Sequence, residues 1–212
     1  MDVWLSPNFR HDKLEAPTFA DLVDVFEDLW LHHIFNPVAA LLEMPHGDIA
    51  AMLVLSSYYE AIESFCRGTS SKRHSQEFFV AGFCRVFKAD HPDIAKAAAA
   101  VYEHVRCGLS HEGMITYKVQ YSRAARRAFL LTYPKRTDGS LNTEAEVTSI
   151  VINPLRTFQG TNTHFSSYVS SLRQHTDAAL CEAFEASVKR LWALGQGNLI
   201  IGATEASIFG GF

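Results

Sequence analysis

The sequence has few charged residues, few cysteines and no long uninterrupted apolar run. Charged residues make up 20% of the 212 positions, which is below the average for a soluble domain and suggests that a partner subunit covers part of the surface. The cysteines have no paired spacing, which excludes the spacing patterns of disulfide frameworks and zinc sites and predicts reduced thiols. The four positions are Cys66, Cys84, Cys107 and Cys181.

Targeting signals and cofactor-binding motifs are also missing from the sequence. Residues 1–10 lack the basic start and the apolar stretch of a signal peptide. Charges or histidines interrupt each apolar stretch before it is long enough to span a bilayer. We therefore expect a cytoplasmic protein that has no membrane partner. No phosphate-binding glycine loop, serine nucleophile elbow, paired-carboxylate motif or zinc motif is present, so we predict no cofactor and no metal.

Hydrophobic residues make up 48% of the chain and recur with helical spacing in its first half. Thr18 is the predicted N-cap of a first helix that extends to about residue 35, where Asn36-Pro37 should end or kink it. Gly68 suits the carboxyl end of a second helix. Further helices are predicted at about 71–87 and 92–107, the latter starting at Pro92. Four such helices with short connections predict a helical bundle.

The second half of the chain changes in character. Residues 114–121, 128–133 and 147–152 are rich in β-branched and aromatic residues, and Asp138-Gly139 is typical of a turn. Asn153-Pro154 then predicts a helix to about residue 174, and a last helix covers about 176–194. We predict one mainly α domain: a core bundle (18–113), an inserted β-hairpin or three-stranded sheet (114–153), carboxyl-terminal helices (154–195) and an apolar tail (196–212) that docks in a groove.

Positive charge is concentrated in one segment of an otherwise acidic chain. Residues 114–137 contain six Lys or Arg and no Asp or Glu, so this segment carries a charge of +6. Since the net charge of the chain is −4, the rest of the chain carries −10. Such asymmetry indicates a binding surface for an anion, with RNA as a candidate. The alternative is a solvated hairpin whose cations protect a strand edge. The candidate nucleic-acid-binding residues are Lys118, Arg123, Arg126 and Arg127.

The strongest chemical feature is Arg106 set five residues before His111 near the end of the fourth helix. On a regular helix these residues are rotated by about 140° from each other, so they converge only if the helix loosens or bends. Gly108 lies between them and makes a bend inexpensive. A guanidinium can hold a phosphate through two hydrogen bonds, and an imidazole can exchange a proton with a ribose hydroxyl near neutral pH. The alternative is structural: Arg106 pairs with a nearby glutamate (Glu103, Glu112 or Glu63).

The string Arg106-Cys107-Gly108-Leu109-Ser110-His111, late in a helical bundle, resembles the signature of HEPN-domain proteins. In that family an arginine, usually followed by a polar residue, precedes a histidine by four to six intervening residues. The resemblance covers about residues 20–115. It implies an all-helical bundle, usually dimeric, that often acts as a metal-independent endoribonuclease in toxin–antitoxin, phage-defence or RNA-processing settings. Arg106 and His111 would then be the catalytic pair, with sites formed where two subunits meet.

One position departs from the family pattern, because Cys107 stands where Asn, Asp or His is common. A thiol is a weak hydrogen-bonding group. Either a polar residue after the arginine is dispensable, or the activity of this protein is reduced. Ser110 and Glu112, from the same turn, and Glu63, from the second helix, are candidate supporting residues. The favoured hypothesis is a homodimer that binds or cleaves RNA, with His111 as general acid/base and Arg106 as phosphate clamp.

A second hypothesis is a non-catalytic helical module that binds a protein partner such as an antitoxin. A third, a small-molecule or nucleotide-binding protein, would need a closed pocket. The first two hypotheses differ in what they expect of the motif. Catalysis predicts that Arg106 and His111 share a solvent-reachable cleft beside the basic segment. The module predicts that they are buried in ion pairs or lie far apart.

Overall fold

The computed structural model describes residues 4–87 and 93–194, which form a mainly helical chain with one small sheet. The α-helices are α1 (Phe19–Trp30), α2 (Asn36–Glu43), α3 (Asp48–Arg67), α4 (Ser75–Phe87), α5 (Ile94–Val101), α6 (Pro154–Arg173) and α7 (Ala178–Leu191). Two π-helical segments, Leu31–Phe35 and Tyr102–Glu112, follow α1 and α5. The strands are β1 (Val119–Tyr121), β2 (Phe129–Thr132) and β3 (Ser149–Ile152). The predicted mainly α fold with a small sheet is therefore confirmed.

The first helix begins as predicted and then continues further than predicted. Thr18 caps α1: its hydroxyl accepts from the Asp21 amide at 3.3 Å, and the Asp21 carboxylate accepts from the Thr18 amide at 2.9 Å. Of the two outcomes predicted at Asn36-Pro37, an end or a kink of the helix, the end is not observed, because helical backbone continues into α2. Pro37 has no N–H to donate. The chain instead widens just before it, and the Asn36 amide donates to the Leu31 carbonyl, five residues back.

The centre of the bundle is formed by α3 and α4, which pack closely through their aromatic residues. The Tyr59 ring lies 5.3 Å from Phe79 and 4.9 Å from Phe83, centroid to centroid, and all three are fully buried. Gly68 ends α3 with φ +71°, as its predicted capping role requires. The third predicted helix starts at Ser75 rather than residue 71. Pro92, the predicted start of the fourth helix, lies outside the described residues.

The sheet has the order β1-β3-β2, with β3 parallel to β1 and antiparallel to β2. All three predicted strands are present in shortened form. The interpretation of the basic segment as a hairpin is wrong, because β1 and β2 both pair with β3 and not with each other. The predicted turn at Asp138-Gly139 is confirmed: Gly139 has φ +83°, and the Asp138 carboxylate accepts from the Ser140 amide at 2.9 Å.

The carboxyl-terminal helices complete the bundle. Asn153 caps α6 as predicted, since its side chain accepts from the Arg156 amide at 3.1 Å. The helix is unbroken through residues 160–163, where the buried Thr161 hydroxyl contacts the Tyr59 hydroxyl at 3.1 Å. Asp177 caps α7, and the tail 196–212 lies outside the described residues. None of the described helices has the length and apolar character needed to cross a membrane.

Candidate functional site

The segment that carries the sequence motif, Tyr102–Glu112, is a π-helix, and we call it the motif helix. In a π-helix the backbone hydrogen bonds join residues five apart rather than four. Residues with that spacing therefore lie on the same side, which brings Arg106 and His111 together. The predicted loosening of the helix is confirmed. Gly108 has little room for a side chain, because a Cβ there would lie 3.0 Å from the Met114 carbonyl oxygen.

Arg106 and His111 line one open cavity with a volume of about 620 Å³. The motif helix also contributes Ser110, while α3 contributes Glu60 and α7 contributes Arg190. The remaining lining residues are small, hydroxyl-bearing or apolar: Leu53, Ser56, Ser57, Ala61, Ser64, Phe65, Ser70, Ser71 and Leu191. The cavity therefore combines two guanidinium groups, one imidazole and one carboxylate with a hydroxyl-rich wall.

The Arg106 guanidinium is held in place by side chains on two sides. Its Nη2 lies 3.5 Å from Oε2 of Glu60, and its centre lies 5.7 Å from the centroid of the Tyr102 ring. The other carboxylate oxygen of Glu60 accepts from the Ser71 hydroxyl at 2.7 Å. The Arg106 side chain remains 30% exposed. A guanidinium has five N–H donors, so one distant contact with Glu60 leaves donors for a phosphate.

Cys107 follows Arg106 on the motif helix, and its thiol lies close to the side chain of Tyr102, five residues back. Burial raises the pKa of Tyr102, and the neighbouring thiol adds to this effect. Among the described residues, the cavity lining contains Arg106, Ser110 and His111 but not Cys107. The side chain of Glu112, another predicted supporting residue, lies outside the described part of the structure.

Glu63 does not have the role that we predicted for it beside the motif. Its Oε1 accepts from Arg67 at 2.7 Å, and its Oε2 accepts from Arg85 at 2.9 Å. Burial opposes ionisation of this carboxyl, but the hydrogen bonds from Arg85 and Arg67 outweigh burial and lower its pKa. The carboxylate that contacts Arg106 is instead Glu60. The two glutamates lie three positions apart on α3, so they are neighbours on the helix surface, but their side chains contact different partners.

The basic segment is not part of the cavity. Lys118, Arg123, Arg126 and Arg127 are all missing from the lining that the described residues form. Arg123 has structural contacts: its Nη2 lies 2.7 Å from Asp48 and also donates to the Leu42 carbonyl. Lys118 is partly exposed, and Arg126 and Arg127 are exposed. A contact of these four cations with RNA stays a prediction, and it would lie outside the cavity lining.

Two lining residues, Glu60 and Arg190, were missed by the sequence analysis. Neither lies in a motif, and both reach the cavity only because α3 and α7 pack beside the motif helix. Among the described residues, no group of three or more His, Cys, Asp or Glu is placed to hold a metal ion. Comparison with models of protein families, with curated proteins and with solved structures finds no match to this chain.

Proposed function

We propose that this protein is a HEPN-like endoribonuclease that cleaves RNA without a metal ion at the Arg106–His111 cavity. The observation that carries the proposal is that both side chains line the same open cavity. Arg106 is partly exposed and His111 is exposed, so an RNA strand can reach both. The resemblance of the motif to the HEPN signature, on a helix at the end of a bundle, supports the same assignment.

The proposed reaction needs only a proton acceptor, a proton donor and a group that binds the phosphate. Neutral His111 takes the proton from a ribose 2′-hydroxyl, and the 2′-oxygen attacks the adjacent phosphorus. The bond from phosphorus to the 5′-oxygen breaks, which leaves a 2′,3′-cyclic phosphate on one fragment. A protonated His111 donates to the departing 5′-oxygen, so that a 5′-hydroxyl forms on the other. Arg106 binds the non-bridging oxygens and stabilises the charge that develops there.

The proposal includes a homodimer, because the family arrangement places two such motifs at a subunit interface. One His111 would then act as base while the His111 of a second copy acts as acid. Ser110 lines the cavity and is a supporting donor. Lys118 and Arg126 remain candidates for contacts with RNA that extends beyond the cavity. An antitoxin-like protein partner and a role in phage defence follow from the resemblance alone.

A non-catalytic interaction module is the second candidate, and the contact between Arg106 and Glu60 favours it. In that role the arginine would serve the fold rather than a substrate. The exposed fraction of Arg106 and the open cavity favour the catalytic role, because a purely structural pair needs no access from solvent.

The chemistry is tested by incubating the purified protein with single-stranded and structured RNA in the presence of EDTA. We expect cleavage that survives chelation and gives fragments with 2′,3′-cyclic phosphate ends. A matched RNA that carries one 2′-deoxyribose should resist cleavage at that linkage alone. Absence of cleavage across several RNAs, or cleavage that EDTA abolishes, would refute the proposal and favour the interaction module.

A further inference from the structure

Arg190 adds a second guanidinium to the cavity, from a helix outside the region that resembles a known family. It lies at the carboxyl end of α7 and is exposed. Its Nη1 donates to the Gly68 carbonyl at 2.9 Å. Within the described part of the chain no other hydrogen bond or ion pair engages this side chain. Most of its five N–H donors are therefore available to a ligand.

The position of Arg190 is fixed by contacts between α7 and α3. The buried Ser187 hydroxyl, one turn earlier on α7, donates to the Ser64 carbonyl at 2.9 Å. A Cβ on Gly68 would lie 3.1 Å from the Cα of Ala183, so the end of α3 touches the backbone of α7. These contacts hold Arg190 at the cavity wall and reduce the entropy that it would lose on binding a ligand.

The charges around the cavity differ in sign from the charge of the whole chain. Arg106 and Arg190 bring two positive charges to the lining, and Glu60 brings the single negative charge. The lining is therefore positive even with His111 neutral, whereas the chain carries −4. A local positive site on an acidic protein selects an anionic ligand and disfavours non-specific binding elsewhere.

The two arginines are anchored at different positions along α3. Arg106 contacts Glu60 on α3, and Arg190 contacts Gly68 just after α3. These anchor residues lie eight positions apart, so their backbones are separated by about 12 Å along the helix axis. Each arginine is therefore placed to contact a different part of one extended ligand.

We propose that Arg190 is a second phosphate-binding residue and that the cavity takes a single-stranded RNA segment spanning at least two phosphates. This inference rests on the proposed function and specifies its substrate: a mononucleotide would engage only one arginine. Arg190 is a positioning residue here, because it acts on a phosphate away from the reacting bond.

The test uses a short single-stranded RNA in which every ribose is 2′-O-methylated, so that it binds but cannot react through the 2′-oxygen. Its affinity is measured by fluorescence anisotropy between about 50 and 200 mM KCl. Loss of one phosphate contact to a single strand should reduce the slope of log affinity against log salt by about 0.7. We expect this reduction, with an affinity loss of about three- to tenfold, for Arg190→Gln.

Two further variants separate phosphate binding from effects on the fold. Arg190→Lys keeps the charge and should keep most of the slope. Lys189→Gln is the matched control, because Lys189 precedes Arg190 on α7, pairs with Glu185 at 2.7 Å and does not line the cavity in the described structure. Its slope should equal that of the wild type. Thermal melting of each variant checks that α7 remains folded.

The outcomes distinguish this inference from the function on which it rests. Equal slopes for Arg190→Gln, Lys189→Gln and the wild type would overturn the role of Arg190, while RNA cleavage by the wild type would leave the proposed function standing. An Arg190→Gln variant that binds a mononucleotide and the RNA with equally weakened affinity would overturn the two-phosphate substrate. Failure of the wild-type protein to bind the RNA at all would overturn both proposals.

Discussion

Arg106 and Cys107 are adjacent in sequence, yet the structure gives them different surroundings. Arg106 faces the cavity and Glu60, whereas Cys107 does not line the cavity in the described structure and its thiol lies close to the Tyr102 side chain. The π-helical backbone explains the difference, because it pairs residue 102 with 107 and residue 106 with 111. The position after the arginine, which is commonly polar in the family that the motif resembles, is thus not part of the cavity in this protein.

Substitutions at these two positions should therefore have unequal effects on RNA cleavage. Arg106→Lys keeps the charge but loses the planar pair of donors, and we expect the single-turnover rate to fall by about a hundredfold or more. Cys107→Ala should leave the rate within about twofold of the wild type, since a thiol is a weak hydrogen-bonding group. A loss of rate in Cys107→Ala that matches the loss in Arg106→Lys would place the thiol in the reaction and contradict this description.

Glu63 should contribute to stability rather than to RNA cleavage. Its carboxylate is 3% exposed and joins Arg67 on α3 to Arg85 on α4. Glu63→Gln removes the buried charge that these two arginines share, and we expect it to lower the free energy of unfolding by about 2 kcal/mol. Glu77→Gln, at the exposed second partner of Arg67, is the matched control and should change stability much less. Urea denaturation measures both effects.

The stability difference between the wild type and Glu63→Gln should depend on pH, because the pKa of Glu63 is lowered in the folded protein. The unfolded carboxyl titrates near its ordinary value of 4.5, and the folded one titrates below it. The ion pairs therefore stabilise the protein fully above about pH 4.5 and lose their contribution as the pH falls through the folded-state pKa. The stability gap between the wild type and Glu63→Gln should narrow only in that acidic range. A gap that stays constant down to pH 3 would contradict the assignment.

At the scale of elements, the sequence predicted best the features that depend on neighbouring residues. Thr18 and Asn153 were identified as helix caps because capping joins residues only three apart. The sequence indicated an end or a kink at Asn36-Pro37 but not the π-turn just before the proline, in which the Asn36 amide donates to the Leu31 carbonyl. The strand order was also missed, since the pairing of β1 with β3 joins residues about thirty positions apart and is decided by packing.

The candidate site also combines features that depend on neighbouring residues with features that depend on the packing of distant helices. The convergence of Arg106 and His111 could be predicted conditionally from their spacing and from Gly108. Glu60 and Arg190 could not, because their places at the cavity depend on how α3 and α7 pack. The expected contact of Glu63 with the motif is not observed for a related reason: the Glu63 carboxylate is bound by Arg85, which α4 supplies.

The close packing of α3 and α4 predicts that Gly82 tolerates no side chain. A Cβ at this position would lie 1.9 Å from the Tyr59 carbonyl oxygen, which is helix backbone and cannot move aside cheaply. Gly82→Ala should therefore lower the free energy of unfolding by about 3 kcal/mol or more. Gly160→Ala is the comparison in another helix: there the nearest atom, at 2.7 Å, belongs to the Phe87 side chain rather than to helix backbone, so we expect a smaller loss of stability. Equal melting temperatures for the two variants would contradict this account of the helix contact.

At the scale of the whole molecule, the low charged fraction and an apolar surface beside the motif favour a homodimer. Met114 and Tyr117 directly follow the motif helix and are 72% and 89% exposed. We expect sedimentation equilibrium to give twice the chain mass of 23.7 kDa. Tyr117→Asp should shift the protein toward the monomer and reduce cleavage, whereas Leu141→Asp, at another exposed apolar residue, should do neither. A monomeric wild type, or a dimer that Tyr117→Asp leaves intact, would contradict this interface.

The central claim is that His111, in the cavity with Arg106, carries the proton transfer in RNA cleavage. The most direct test is the single-turnover rate of RNA cleavage in EDTA for the wild type, His111→Ala and His74→Ala. His74 is the matched control because its side chain is 63% exposed and does not line the cavity in the described structure. We predict that His111→Ala lowers the rate by about 10²- to 10⁴-fold and that His74→Ala leaves it unchanged. Equal rates for all three proteins would contradict the claim.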